Sequence, residues 1–220
     1  AEWIRSLGER YEVSDHNESF FATHVLGQLA ADLALTGKAL RAAAADDPGK
    51  LTIARLAQLY RRLAWTFRAE ISSFQRKSYA SLSAEPNKAM NLNSYIGLMG
   101  RSVAVRHTPE GRVLVPDTGP GSIAVPDADF LLTLDADSII LPEYCLRLVH
   151  VLNRPENARL AVIQTPYSAF PGSSTRLERL AGATTDIQHI VHQGMSYHGA
   201  TFWVGANAVI RKRALDDIVQ

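Results

Sequence analysis

The first third of the chain carries the hydrophobic spacing of two helices. Residues 26–45 are rich in alanine, which favours a helix. After a turn predicted at residues 46–49, apolar side chains recur on one helical face, at Ile53, Leu56, Ala57, Tyr60, Leu63, Ala64 and Phe67. Because the connection is short, the pattern predicts two antiparallel helices.

Between residues 101 and 125 the pattern changes to that of a hairpin. Short runs of valine, alanine and leucine at 103–105 and 113–115 flank a Thr-Pro-Glu-Gly turn at 108–111. A loop rich in proline and glycine follows at 117–121, and such loops usually lie on the surface.

From residue 127 onward apolar runs alternate with helical patterns, which is typical of an α/β fold with a largely parallel sheet. The run at 130–134 is apolar almost throughout, as expected for a strand buried on both faces. Further strands are predicted at 161–165 and 201–204. One helix is predicted to begin near Pro142 and another at Thr175, which has capping-box spacing to Glu178. The second helix is expected to bury an apolar face formed by Leu177, Leu180, Ala181, Ile187, Ile190 and Val191.

Composition narrows the class of protein. The 220 residues are 46% hydrophobic and 20% charged, which is typical of a globular protein of one large or two small domains. The formal charge of +1 gives no overall field to attract nucleic acid or an anionic membrane, so an anionic ligand must be bound locally. The single cysteine, Cys145, excludes an intrachain disulfide. No apolar run approaches the roughly 18 residues of a membrane span.

An acidic pair, Asp135 and Asp137, follows the predicted strand at 130–134. Ligands of open α/β sheets bind outside the carboxyl ends of the strands. If the chain stays extended, both carboxylates project the same way and can share Mg²⁺ or Mn²⁺ with a substrate diphosphate.

Two other interpretations of the acidic pair stay open at this point. The pair can be a strand exit followed by a helix-capping aspartate. A strand that ends in Asp-x-Asp is also found in phosphatases of the haloacid-dehalogenase type, where the first Asp is a nucleophile. The residues that follow here, Ser138-Ile139-Ile140, differ from the Gly-Thr usual in those enzymes.

Four segments occur in a characteristic order. They are residues 87–93 (Asn-Lys-Ala-Met-Asn-Leu-Asn), 135–138 (Asp-Ala-Asp-Ser), 164–166 (Gln-Thr-Pro) and 202–215, which begins Phe-Trp-Val-Gly-Ala-Asn. Their order and spacing resemble the processive, membrane-associated branch of family 2 glycosyltransferases, which includes cellulose synthase and bacterial glucan synthases. Met90 stands where that family usually carries glycine.

The resemblance extends upstream and implies a fold. Residues 11–15 resemble the second strand of the family's fold, and residues 74–77 resemble the strand before the Lys88 segment. The implied fold is GT-A, a mixed, mainly parallel Rossmann-like sheet flanked by helices. The resemblance covers about residues 11–25 and 74–220, so 26–68 would be a helical insertion and 101–125 a hairpin insertion in a partial catalytic domain, residues 1–220.

The resemblance also implies roles for charged and amide side chains. Asp135 and Asp137 would bind Mg²⁺ or Mn²⁺, which neutralises the diphosphate that leaves. Lys88 would face the nucleotide as a point charge, and Asn91 and Asn93 would hydrogen-bond to ribose or base. The structural alternatives are a solvated lysine at a helix start and asparagines that cap or pack against backbone.

Further contacts with the substrates are implied at four positions. Asp15 would contact the nucleotide base, and Gln164 and Trp203 would contact the sugars. Gly205 would let the backbone approach closely beside the acceptor. Gln164 can also simply end a strand before Pro166. His189, His192 and His198 lack a metal-binding motif and are expected at the surface or the core edge.

The implied function is inverting, metal-dependent transfer of a hexosyl group from a nucleotide sugar, a UDP-sugar in the first place, to a growing glycan in polysaccharide biosynthesis. The family's base segment (Thr-Glu-Asp) and its Gln-x-x-Arg-Trp motif do not occur, and Asp216 and Asp217 come too early to replace the base. We therefore expect an internal segment of a longer enzyme, soluble and inactive alone, whose other segments attach it to the cytoplasmic side of a membrane. The alternative is a degenerate nucleotide-sugar-binding or regulatory module. The sequence leaves sugar, acceptor and processivity open.

Overall fold

The computed structural model describes residues 1–46 and 52–219. The chain divides into two compact units, one of Ala1–Ile71 with Ser168–Ile187 and one of Ser72–Tyr167 with Gln188–Gln220. Of the turn predicted at residues 46–49, residues 47–49 lie outside the described ranges.

Helices and small antiparallel sheets make up the regular structure. The helices are α1 (Glu2–Glu9), α2 (His16–Phe20), α3 (Gln28–Asp46), α4 (Ile53–Thr66), α5 (Lys88–Ile96), α6 (Tyr144–Leu152), α7 (Arg176–Tyr197) and α8 (Lys212–Val219). The strands are β1 (Ser102–Thr108), β2 (Gly111–Pro116), β3 (Ile123–Ala124), β4 (Phe130–Thr133), β5 (Val162–Gln164) and β6 (Ala208–Arg211). A π-helical segment (Phe21–Gly27) precedes α3, and 3₁₀ turns lie at Arg76–Ser78 and Pro155–Asn157. None of the helices within the described ranges is both long enough and apolar enough to span a bilayer.

The core of the first unit is small and helical. Ile4, Leu26 and Ala30 are buried there, with Phe21, Leu29 and Leu33 packed against them. The two predicted helices exist as α3 and α4, but the apolar face of α4 is exposed, as Ile53 at 88% shows. The hydrophobic periodicity therefore predicted helix α4 correctly. The apolar face of this helix is, however, not covered by other described residues.

The strand predicted at residues 11–15 is wrong. Asp15 is the N-cap of α2, and its Oδ1 accepts a hydrogen bond from Glu18 N at 2.8 Å. Ser14 donates through its backbone N and its Oγ to Glu18 Oε2, at 2.7 and 2.6 Å. These bonds lower the pKa of Glu18. Local side-chain capping satisfies the backbone here, so no strand partner is needed.

The hairpin predicted in the second unit is confirmed. β1 and β2 pair antiparallel, with Thr108 opposite Gly111, and β3 pairs with the other side of β1. Gly111 has a positive φ of 126°, which glycine adopts readily.

The second sheet of this unit has the order β4-β6-β5. Its residues Ala208, Val209 and Ile210 are buried and form the core with Leu152 of α6. Every strand pairing in the described ranges is antiparallel, so the mainly parallel sheet is not shown. The reason is that β6 returns between β4 and β5 and runs against both. β4 and β5 therefore point in the same direction without being hydrogen-bonded to each other.

Two further predicted strands are wrong. Residues 74–77 do not form a strand and end in a 3₁₀ turn. The buried guanidinium of Arg76 donates to backbone carbonyls, and these hydrogen bonds hold the segment in this conformation. Residues 201–204 are irregular, and the strand begins only at Ala208. Gly205 and Asn207 between them have positive φ values of 98° and 53°, which a strand does not allow.

The helix predicted from Thr175 is confirmed as α7, and its capping box is formed. Thr175 Oγ1 accepts from Glu178 N at 3.2 Å and donates to Glu178 Oε2 at 2.6 Å. The apolar face predicted for this helix is exposed, however, at Leu177, Leu180, Ala181, Ile187, Ile190 and Val191. The buried residues of α7 are His189 and His192.

Candidate functional site

The candidate site lies at the carboxyl end of β4, in the second unit. Lys88 is the first residue of α5, and Asp135 lies two residues beyond the end of β4. Nζ of Lys88 donates a hydrogen bond to Oδ1 of Asp135. Both side chains are about half exposed, at 45% and 50%. We call Lys88, Asp135 and Asp137 the acidic end of the sheet. It joins residues that are 47 positions apart in sequence.

The chain turns between the two aspartates. Ser138 N donates to Asp135 O at 3.1 Å, and the intervening residues form a turn. The condition of an extended chain, under which both carboxylates would project the same way, is therefore not met. Both carboxylates are exposed on this turn, and Asp137 has no hydrogen-bond or ion-pair partner among the described residues.

The donor set of the acidic end determines which cation it suits. It supplies two carboxylates, and one oxygen of Asp135 faces the ammonium of Lys88. Within the described ranges no group of three or more His, Cys, Asp or Glu residues is arranged to hold a metal ion. Mg²⁺ and Mn²⁺ are often bound by one or two carboxylates together with phosphate oxygens and water. The residues therefore fit such an ion in company with a diphosphate, and they do not form an all-protein site.

The start of α5 is held by a buried arginine. Arg76 is only 3% exposed, and its Nε donates to Asn91 Oδ1 at 2.9 Å. Its two terminal nitrogens donate to the carbonyls of Ser83 and Glu85. These three bonds fix the segment that leads into Lys88.

The amides predicted for nucleotide contact have different surroundings. Asn91 uses its oxygen to hold Arg76, which leaves its NH₂ group for other contacts. Asn93 is exposed, and its side chain has no hydrogen bond among the described residues. Asn87 is the N-cap of the helix and accepts from Met90 N at 2.8 Å.

A tyrosine connects the ends of β5 and β6. The hydroxyl of Tyr144 donates to Asn207 O at 2.9 Å and lies 2.8 Å from Thr165 Oγ1. Asn207 N donates to Thr133 O at 2.8 Å, so the same residue also reaches β4. Partial burial raises the pKa of Tyr144 above its ordinary value of 10.0.

Gln164 and the segment 201–205 meet beside this network. Val204 N donates to Gln164 Oε1 at 2.8 Å, which fixes the loop to the end of β5. Trp203 is half-buried, and its indole Nε1 is buried without a partner among the described residues. A Cβ on Gly205 would meet no atom within 4 Å, so the positive φ of this residue requires glycine rather than close approach.

Two histidines of α7, His189 and His192, are buried. His189 Nε2 accepts from Tyr167 N at 3.2 Å. His192 packs on Phe202 with ring centroids 4.8 Å apart, and its Nδ1 is buried without a partner among the described residues. Both rings are 7% exposed, so they are core histidines.

Sequence reasoning missed Arg76, Tyr144 and Asn207 as residues that hold the site together. The Gly-Ala-Asn run carried one signal for Asn207, because asparagine is one of the few residues besides glycine that adopt a positive φ. Asp15, predicted to contact the base, is the N-cap of α2 in the first unit.

Residues 130–220 match a family model described as glycosyl transferase family group 2. The matched region contains Asp135, Asp137, Gln164, Trp203 and Gly205, whereas Asp15, Lys88, Asn91 and Asn93 lie outside it. The match supports glycosyl transfer, from a nucleotide-sugar donor to an acceptor, as the general chemistry of this region. Neither the curated proteins nor the solved structures gave a match to the chain.

Proposed function

We propose that the acidic end binds a nucleoside-diphosphate sugar, a UDP-sugar in the first place, for inverting transfer of the sugar to a growing glycan. The observation that carries the proposal is the ion pair of Lys88 with Asp135, because it joins a cation and a carboxylate at the carboxyl end of a strand. The family match of residues 130–220 supports the class of reaction.

A lysine beside two carboxylates suits the charge of a diphosphate. Since Lys88 is half exposed, its ammonium can turn from Asp135 to a phosphate oxygen without a large desolvation cost. Mg²⁺ or Mn²⁺ held by Asp135 and Asp137 would supply the remaining positive charge that stabilises the leaving diphosphate. We propose that Asn91 and Asn93, the next polar side chains of α5, contact the ribose or the base.

The acceptor side of the proposed site is the segment 201–205. Gln164 holds this segment through Val204 N, which positions Trp203 near the end of β5. A tryptophan face is a common platform for a sugar ring. We assign Trp203 and Gly205 to the acceptor side, and a contact of Asp15 with the base stays a prediction of the sequence.

The proposed fold is GT-A. The order of strand β4, helix α6 and strand β5 along the chain, with both strands pointing the same way, supports this proposal. The insertions at 26–68 and 101–125 are part of this proposal, as are membrane association and a cytoplasmic location of the whole enzyme.

A general base is the part that the acidic end does not supply. Asp216 and Asp217 lie in α8, which follows Arg211, and Arg211 pairs with Phe130 at the opposite end of β4 from Asp135. Asp216 is moreover 3.2 Å from Lys212. This placement favours binding without transfer by the chain on its own, and it keeps a binding or regulatory module as the second candidate function.

Calorimetric titration with UDP and GDP, with Mn²⁺ and with EDTA, tests the proposal. We expect Mn²⁺-dependent binding of the nucleotide that is lost in Asp135→Asn and Asp137→Asn. Lys88→Gln should weaken binding about tenfold, since one charge-assisted contact is worth about 1.4 kcal/mol or more.

Asp129→Asn is the matched control, because Asp129 is an exposed aspartate of the same unit whose carboxylate has no partner among the described residues. It should bind like the unsubstituted chain. Binding that survives in both aspartate variants would refute the assignment. Release of nucleotide from a UDP-sugar by the chain alone would refute the binding-module alternative.

A further inference from the structure

The second unit contains a cavity at the other end of the β4-β6-β5 sheet from the acidic end. Its volume is about 550 Å³, within the range of small-molecule sites. The end of α6, the 3₁₀ turn at Pro155–Asn157, the start of β5 and the first turns of α8 surround it. Arg211 lies in its wall and is paired with Phe130, the first residue of β4, whereas Asp135 follows the last.

Arginines dominate the charge of this cavity. Arg154, Arg159, Arg211 and Arg213 line it, and Asp217 is the acidic residue among the lining side chains. Four positive charges against one negative leave the lining at +3, in a chain whose formal net charge is only +1. We call this cavity the basic pocket.

Arg211 is held rigidly in the wall of the basic pocket. Its Nη2 donates to Leu152 O at 2.6 Å and its Nε to Leu160 O at 3.3 Å. Its guanidinium carbon also lies 5.3 Å from the centre of the Phe130 ring. Arg211 therefore gives the pocket a fixed positive charge and an ordered wall.

The remaining arginines are available to a ligand. Arg159 and Arg213 are exposed and have no hydrogen-bond or ion-pair partner among the described residues. Arg154 has only a distant partner, Glu156, at 3.9 Å, and both of these side chains are more than half exposed. Such a pair contributes little and is readily exchanged for a stronger one.

We propose that the basic pocket binds a small phosphorylated anion, one that carries at least two negative charges, without a metal ion. Guanidinium groups bind phosphate oxygens in a bidentate fork, and they stay charged at every physiological pH. The apolar part of the wall, which includes Leu160, gives room for the organic part of such an anion. This site is independent of the proposed nucleotide-sugar site, because the carboxylates of the acidic end repel an anion when no cation is bound.

Calorimetric titration of the 220-residue chain with pyrophosphate in EDTA and low salt tests the proposal. We expect saturable binding at one site. Arg159→Gln and Arg213→Gln should each weaken it about tenfold, since each removes a charge-assisted contact, and the double variant should abolish it. Both side chains are exposed, so the fold should be retained, which far-UV circular dichroism and the thermal midpoint check.

Two control variants separate this site from general charge and from the acidic end. Arg106→Gln replaces an exposed arginine of β1 whose side chain has no partner among the described residues and lies outside the pocket lining. Pyrophosphate binding should be unchanged in this variant. Asp135→Asn should leave the binding in EDTA unchanged as well. No binding in EDTA, equal loss in Arg106→Gln, or full binding in the double variant would each overturn the proposal.

Discussion

The β4-β6-β5 sheet carries opposite charges at its two ends. Beyond Thr133 at the carboxyl end of β4, two exposed carboxylates share a turn and one of them is paired with Lys88. Beside Phe130 at the other end, four arginines surround a cavity of about 550 Å³. The strands between them are only three or four residues long.

Under the two proposals, one short sheet carries two kinds of anion site. An anion at the acidic end needs a cation to offset the carboxylates, so binding there should depend on a divalent metal. An anion in the basic pocket meets guanidinium groups directly, so EDTA should not affect it. Metal dependence is therefore the property that distinguishes the two ends experimentally.

The substitution Ile210→Ala should have the largest effect, because it damages the sheet that both ends share. Ile210 is fully buried and lies between Leu131 and Val162. Loss of its side chain should lower the free energy of unfolding of the second unit by about 2 to 5 kcal/mol. Urea denaturation followed by circular dichroism measures this change.

Ile123→Ala is the control, since this isoleucine of β3 is 53% exposed and its loss should cost less than about 0.5 kcal/mol. Equal destabilisation by the two substitutions would show that β6 is not the core of this unit.

The substitution Arg76→Met should damage one end alone. It removes three hydrogen bonds and leaves the carbonyls of Ser83 and Glu85 without their donor, at a cost of about 2 kcal/mol. Because these bonds fix the segment before Lys88, nucleotide binding in Mn²⁺ should weaken, whereas pyrophosphate binding in EDTA should not. Arg76→Lys should restore little, because an ammonium cannot reproduce the three-way fork. Arg106→Met is the exposed control, and an equal effect there would contradict a special role of Arg76.

Local patterns predicted the elements whose hydrogen bonds close nearby or whose residues form a continuous apolar run. The hairpin around residues 109–111, the capping box of Thr175 and the strand β4 depend on neighbours in sequence or on a plain run of apolar residues. The predictions at 74–77 and 201–204 were wrong because residues that follow each segment determine its backbone conformation. Arg76 takes its acceptors from beyond its own segment, and positive φ values at Gly205 and Asn207 delay β6 despite the aromatic residues before it.

The candidate site was predictable to a similar degree. The motifs singled out Lys88 and Asp135, which the structure brings into contact, although their roles stay predictions. Tyr144 could not be found, because its hydroxyl binds the backbone of Asn207, 63 residues away, and a backbone acceptor leaves no mark in the sequence. The exposed apolar faces of α4 and α7 show a second limit. Periodicity predicts that a helix has an apolar face, but it does not predict which element packs against that face.

The substitution Tyr144→Phe should have the smallest effect of the three on stability. It removes the hydroxyl that joins Thr165 and Asn207, at a cost of about 1 kcal/mol in free energy of unfolding. Tyr197→Phe is the matched control, because that ring is 87% exposed, and it should be neutral.

The same substitution predicts a change in pH dependence. Burial raises the pKa of Tyr144 in the folded chain above its ordinary value of 10.0, so the folded state holds the phenolic proton more tightly than the unfolded state does. Its contribution to stability is therefore complete below about pH 10 and is lost as the pH rises through the raised value. Urea denaturation at pH 8 and at pH 10.5 should show a smaller alkaline loss in Tyr144→Phe than in the unsubstituted chain or in Tyr197→Phe. An equal loss in all three would mean that Tyr144 ionises in the folded protein as it does in water, which would contradict the burial of its hydroxyl.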